Sequence, residues 1–199
     1  MVMKKNELQK IFSKLPELSA SRLVLRRMSR EDATDMYEYA RLPSVTEYLL
    51  WYPHSGIDHT RRYLSMIERE YRLGVFYDWA VVLRETGKMI GTCGFTTIDS
   101  QNSCGEVGYV LNPAFWGQGY APEAVHAVMT FGFGTLSLHR IEAKYIIGNN
   151  RSRRVMEKCG MTFEGVRRSS MLIKGEYRDI GVCSILSSEF FAREKEYPR

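Results

Sequence analysis

The residues with the most chemistry between them are Glu106-Val107-Gly108-Tyr109-Val110-Leu111-Asn112 and, directly after, Pro113-Ala114-Phe115-Trp116-Gly117-Gln118-Gly119-Tyr120-Ala121-Pro122-Glu123-Ala124. They read as a strand, a Gly-x-Gly turn and a helix that opens at Pro122. A proline in the first helical turn lacks the N–H that would be unpaired there. Gly117, Gly119 and Ala121 are small enough for a ligand to approach the main chain, and the first-turn N–H groups point outward. Such a turn binds an anion, a pyrophosphate above all. The plain alternative is a tight strand–helix connection without a ligand. Two phosphate motifs are excluded: GxxxxGK[ST] is absent, and Pro122 stands where a dinucleotide fingerprint needs its third glycine.

Other reactive residue types form weaker patterns. Cys93, Cys104, Cys159 and Cys183 have no CxxC spacing and no neighbouring histidine, which argues against zinc, a disulfide framework and an acyl-thioenzyme. They read as small buried hydrophobes. His126 and His139 fit structural positions, whereas His54 and His59 adjoin the aromatic loop Tyr48–His54. The chain carries a formal charge of +5 and a pI near 9.0, yet its basic residues are dispersed. Neither a basic run nor an aromatic-basic motif supports nucleic-acid binding.

These residues need a frame. Unbroken apolar runs reach only five residues (Tyr48–Tyr52, Trp79–Leu83), which predicts no membrane span, and the N-terminus has no apolar leader core. A cytoplasmic protein is expected. Strands are predicted at 22–26, 77–84, 88–97, 105–112, 140–147, 161–168 and 176–186. Helices are predicted from Ser29 as N-cap, over 60–73, from Pro122 to about Phe133, and over 152–159 with Ser152 as cap. A meander followed by crossovers predicts an α+β, three-layer domain: a mixed, mostly antiparallel sheet of six to seven strands flanked by helices. Residues 1–20 form an arm or helix, 21–190 one domain and 191–199 a tail.

Several motifs, in order, carry a family resemblance. Trp116-Gly117-Gln118-Gly119-Tyr120-Ala121 resembles the Gln/Arg-x-x-Gly-x-Gly/Ala signature of the GNAT acetyltransferase superfamily. Asn149-Asn150-Arg151-Ser152 with Glu157-Lys158-Cys159-Gly160-Met161 resembles its Asn-x-x-Ser…Glu-Lys-x-Gly-Phe block. Arg22–Arg26 with Glu31-Asp32-Ala33, and Leu138–Ala143, are similar to the RimJ/RimL-like branch. Two positions depart from the pattern. Trp116 replaces a polar phosphate contact, and Met156 stands where many members have the tyrosine that protonates the leaving thiolate.

The resemblance implies acetyl transfer from acetyl-CoA to an amine by direct attack in a ternary complex, without metal. It places the pyrophosphate on Gly117, Gln118, Gly119, Tyr120 and Ala121, and the pantetheine arm along Val110 and Leu111. Asn149 falls beside the cofactor's amides unless it serves only its turn. Arg151, Arg154 and Lys158 share one helix face, either a cradle for the adenosine phosphate or a solvated surface. Glu106 is the candidate base, with a structural carboxylate as its alternative, and Asp179 is a second carboxylate. Ser152 is the candidate acid. Trp51, Tyr52 and His54 would line the acceptor pocket. The expected acceptor is a protein N-terminal α-amine, ribosomal first, with a small amine (amino acid, polyamine or antibiotic) or a non-catalytic CoA-binding module as alternatives. Nucleic acid and membrane are not expected partners, and a homodimer is left open.

Overall fold

In the computed structural model, which describes residues 4–196, the chain builds one eight-stranded sheet with helices on both faces. In chain order the strands are β1 (Leu18–Ser19), β2 (Leu23–Arg26), β3 (Asp78–Leu83), β4 (Met89–Asp99), β5 (Cys104–Leu111), β6 (Arg140–Ile146), β7 (Thr162–Ile173) and β8 (Glu176–Leu186). The helices are α1 (Lys5–Ser13), α2 (Ala33–Ala40), α3 (Pro43–Thr46), α4 (Ile57–Leu73), α5 (Tyr120–Gly134), α6 (Asn150–Lys158) and α7 (Ser187–Glu196). The sheet order is β1-β2-β3-β4-β5-β6-β8-β7. Only β5 and β6 run parallel, and α5 makes the crossover that a parallel pair requires. The eighth strand is the two-residue β1, which pairs with β2.

The core lies where the apolar faces of these layers meet. Phe12, Trp79 and Phe131 bring α1, β3 and α5 together in edge-to-face contact, and the Trp79 indole N–H donates to the Pro16 carbonyl at 2.7 Å. Ser29 heads a single 3-10 turn before α2, where its N–H donates to Asp32 at 2.8 Å. The buried Asp32 carboxylate in turn takes two hydrogen bonds from Arg26. Helix α7 lies partly in the expected tail: Phe190 is buried against Phe133, and Glu194 meets His126 at 2.9 Å. Residues 1–3 and 197–199 of the expected arm and tail lie outside the described residues. Among those described, no helix is long and apolar enough to cross a membrane.

Candidate active site

β5 and β6 pair only where Cys104–Glu106 face Arg140–Glu142. Beyond that point β5 stays with β4 through Leu111, while β6 stays with β8 through Ile146. The two strands diverge and open a slot through the sheet. A cavity of about 1130 Å³ fills it, walled by residues 106–111 of β5 and by Lys144, Tyr145 and Ile146 of β6. That exceeds the roughly 300–1,000 Å³ of a pocket for one ligand. Strand alternation gives it two sides. Tyr109 faces α6, where its hydroxyl meets Ser152, so Glu106, Gly108 and Val110 face the other way, towards α2 and α4.

On the α5–α6 side, the turn into α5 is held from several directions. Asn112 caps a 3-10 turn by accepting from the Ala114 N–H at 3.1 Å, and the Trp116 indole donates to the Leu111 carbonyl at 2.9 Å. Gly117 and Gly119 both have positive φ, and Gly119 is the N-cap of α5. The helix starts at Tyr120, two residues before the expected Pro122. Its first closing bond runs from the Glu123 N–H to the Gly119 carbonyl, so the Tyr120 and Ala121 N–H groups precede the helical ladder. Gly117, Gly119, Tyr120 and Ala121 line the cavity. The Gln118 side chain does not; it donates to the Ala114 carbonyl at 3.0 Å. Arg22, part of the Arg22–Arg26 motif but without an expected role, acts as a clamp. It grips Glu123 in the first turn of α5 at 2.7 Å, donates to the Gln118 carbonyl at 3.0 Å and stacks on Tyr120.

Helix α6 supplies the facing wall. Its N-cap is Asn149, whose side chain accepts from the Ser152 N–H at 3.1 Å. This corrects the expectation that Ser152 caps the helix: Ser152 is three residues in, which frees its hydroxyl for Tyr109 at 2.9 Å. Burial pushes the Tyr109 phenol far up, against the opposing Ser152 hydrogen bond, and keeps it a hydroxyl. Arg151, Arg154 and Lys158 all line the cavity. None has a carboxylate partner among the described residues, whereas Arg153 on another face pairs with Glu157 at 2.9 Å. Arg151 lies over the Trp116 ring at 4.3 Å. Met156 is buried in the core.

The α2–α4 side is aromatic and carries two carboxylates. Glu106 is bound by the Lys144 ammonium at 2.5 Å, and Lys144 also reaches Glu142 at 3.4 Å. Asp78, at the start of β3, is the second carboxylate in the cavity wall. It sits opposite Gly94 of β4, which in turn faces Gly108 of β5. A Cβ on Gly94 would stand 2.8 Å from the Asp78 carboxylate and closer still to its backbone, so only glycine leaves this trough open. Trp51, Tyr52 and His54 line this side. His54 stacks on His59 at 4.3 Å, touches the edge of Tyr63 and shares a 2.8 Å hydrogen bond with Thr60. Asp179 is elsewhere: it accepts from the Ser169 N–H at 2.8 Å between β7 and β8.

Residues 22–162 match the acetyltransferase (GNAT) domain model. The chain belongs to the GNAT acetyltransferase family. It is 35% identical over 173 residues to a Bacillus licheniformis protein named uncharacterized N-acetyltransferase p20, covering 87% of this chain and 97% of that one. It is 26% identical over 171 residues to the Escherichia coli [ribosomal protein uS5]-alanine N-acetyltransferase, over 81% and 86% of the two chains. A GNAT-family acetyltransferase structure from Bacillus anthracis superposes with a TM-score of 0.77 at 29% identity, covering 87% of this chain and all of that one. The resemblance read from the motifs therefore stands, RimJ/RimL-like character included, and the protein is an acetyl-CoA-dependent N-acetyltransferase.

As a GNAT enzyme, the chain needs one cavity with room for a donor and an acceptor on opposite sides of a thioester. The splay between β5 and β6 joins the two sides, with three unpaired cations and a helix N-terminus on one and two carboxylates on the other. Of the expected site residues, all but Gln118 and the second carboxylate Asp179 line this cavity. Arg22, Tyr109 and Asp78 had no role assigned to them from the sequence.

Asp78 is costly. Burial raises its carboxyl from 3.8 to about 7, against hydrogen bonds from Thr92 and the Trp79 N–H that favour the ion. The unfolded chain ionises this group near pH 4 and the folded protein only near 7, so folding is disfavoured as pH rises across that window. Asp78→Asn is therefore expected to raise Tm, by several degrees more at pH 8 than at pH 4, in paired thermal melts. An equal change at both values would show that the charge carries no such cost.

Proposed function

We propose that this acetyltransferase acetylates the α-amine at the N-terminus of a protein, a ribosomal protein being the first candidate. The observation that carries this reading is the two-sided cavity, in which a carboxylate on the acceptor side adjoins the strand divergence. The kind of acceptor follows the E. coli relative, whose name gives a ribosomal protein alanine as its target. The Tyr120 and Ala121 N–H groups would hold the pyrophosphate, while Arg151, Arg154 and Lys158 would hold the adenosine phosphate. Val110 and Leu111 would pair with the pantetheine arm along the open edge of β5, and Asn149 would sit beside its amides.

In the reaction, the neutral amine nitrogen attacks the thioester carbonyl. Glu106 takes the amine proton directly or through one water, and a backbone N–H at Val110 or its neighbour receives the developing oxyanion. The C–S bond then breaks, the thiolate takes a proton from Ser152, whose hydroxyl Tyr109 orients, and solvent returns a proton to Ser152 as Glu106 releases the one it took from the amine. The test is thiol release from acetyl-CoA with peptides bearing free or blocked N-termini, amino acids, polyamines and aminoglycosides. Stimulation by free N-termini and silence with blocked ones is expected. Stimulation by small amines alone would overturn the choice of acceptor.

A further inference from the structure

The two sides of the cavity differ in charge as well as in shape. The α5–α6 side holds Arg151, Arg154 and Lys158 without acidic partners among the described residues. On the other side the one cavity-lining cation, Lys144, is shared between Glu106 and Glu142. His54 adds no positive charge, since burial and the neighbouring His59 lower its pKa to about 4. Lys174, at the rim over Tyr52, is turned to the Thr46 carbonyl. Asp78 has no ion-pair partner among the described residues, although it lines a cavity.

What surrounds Asp78 fits a cation. Tyr39 and Tyr63 line the same space and both feel the Asp78 charge. The Tyr39 hydroxyl is buried with no hydrogen-bond partner among the described residues, a state that is unfavourable unless a ligand or water relieves it. Tyrosine faces beside a carboxylate form the kind of box that binds ammonium and guanidinium groups. A hydroxyl with unused lone pairs adds an acceptor.

Asp78 and Glu106 project from the same face of the sheet. They lie two strands apart and two residues offset, which strand spacing converts to roughly 12 Å between their α-carbons. One amine cannot use both. We propose that the tyrosine box closed by Asp78 is a cation subsite of the acceptor pocket, so that the preferred acceptor carries a second positive group beyond the amine that is acetylated. This rests on the reading of the α2–α4 side as the acceptor side. The shared chemistry is a dication, which a diamine or a peptide with a basic residue next to its free N-terminus could supply.

The test is calorimetric binding to the protein saturated with CoA, which reads the subsite without any turnover. The probes are 1,6-diaminohexane against hexylamine, and a peptide beginning Ala-Arg against one beginning Ala-Ala. In at least one pair the dication is expected to bind tenfold or more tightly, and the pair that shows it identifies the source. Asp78→Asn should remove that preference while still binding CoA, the control that the chain is folded. Equal binding within both pairs by the wild type, or a preference that survives in the variant, overturns the proposal. Because no acetyl transfer is read, a dication preference without turnover would leave the subsite standing and count against the acceptor role of Glu106 instead.

Discussion

Glu106→Gln is expected to lower kcat by about 100-fold at pH 7.5 with little change in CoA binding, in line with the 10²–10⁴ that a positioned base contributes. The amide keeps the size of the side chain and can still bond to Lys144, but it cannot accept the proton. An α-amine with a pKa near 8 arrives mostly protonated at neutral pH, and a lysine near 10.4 almost wholly so. The deficit should therefore shrink towards pH 9.5 as the free amine becomes abundant. That pH dependence separates a base from a strut. Lys144 keeps Glu142 at 3.4 Å in the variant, so a purely structural carboxylate would lower Tm while leaving the shape of the pH–rate profile unchanged. A kcat within threefold of wild type would remove Glu106 from the mechanism.

The parts of this site that could be read from the sequence are those that lie close together in it. The turn Trp116–Ala121 and the block Asn149–Lys158 are contiguous, and their local geometry is fixed by Gly117, Gly119 and the Asn149 cap. The β3–β4 hairpin was legible for the same reason, its strands being expected at 77–84 and 88–97 with only a short turn between them. Asp78 was not legible, because its place beside Gly94 and Gly108 depends on the register of three strands. The Arg22–Glu123 clamp joins residues 101 apart. Strand β7 outran its expected end at Arg168 because the ladder slips between Arg167 and Met171, and pairing with β8 resumes to Ile173. Helix α7 has only a weak signal of its own and is fixed by burying Phe190. Residue type suggested the Ser152 cap, but the competing Asn149 three residues earlier is the better acceptor for the first turn.

Gly119→Glu is expected to weaken CoA binding about 1000-fold, roughly 4 kcal/mol, in calorimetric titration. Two effects act together at this position. The φ of +84° lies in the left-handed region, where a side chain costs about 1–2 kcal/mol. The larger effect is charge: a carboxylate at the head of α5 competes with the pyrophosphate for the same N–H groups and the same positive helix end. A Cβ here would stand 3.4 Å from the Arg22 guanidinium, so the introduced carboxylate has a cation to hold it over the turn. The same attraction favours a folded helix start, which makes loss of binding without loss of Tm the expected pattern. Gly119→Gln carries the backbone strain without the charge and should lose only about tenfold. Equal losses in the two variants would make the effect steric, because Gln matches Glu in size. Unchanged affinity in both would mean that the phosphates lie elsewhere, and the cationic face of α6 would then have to hold them without the helix N-terminus.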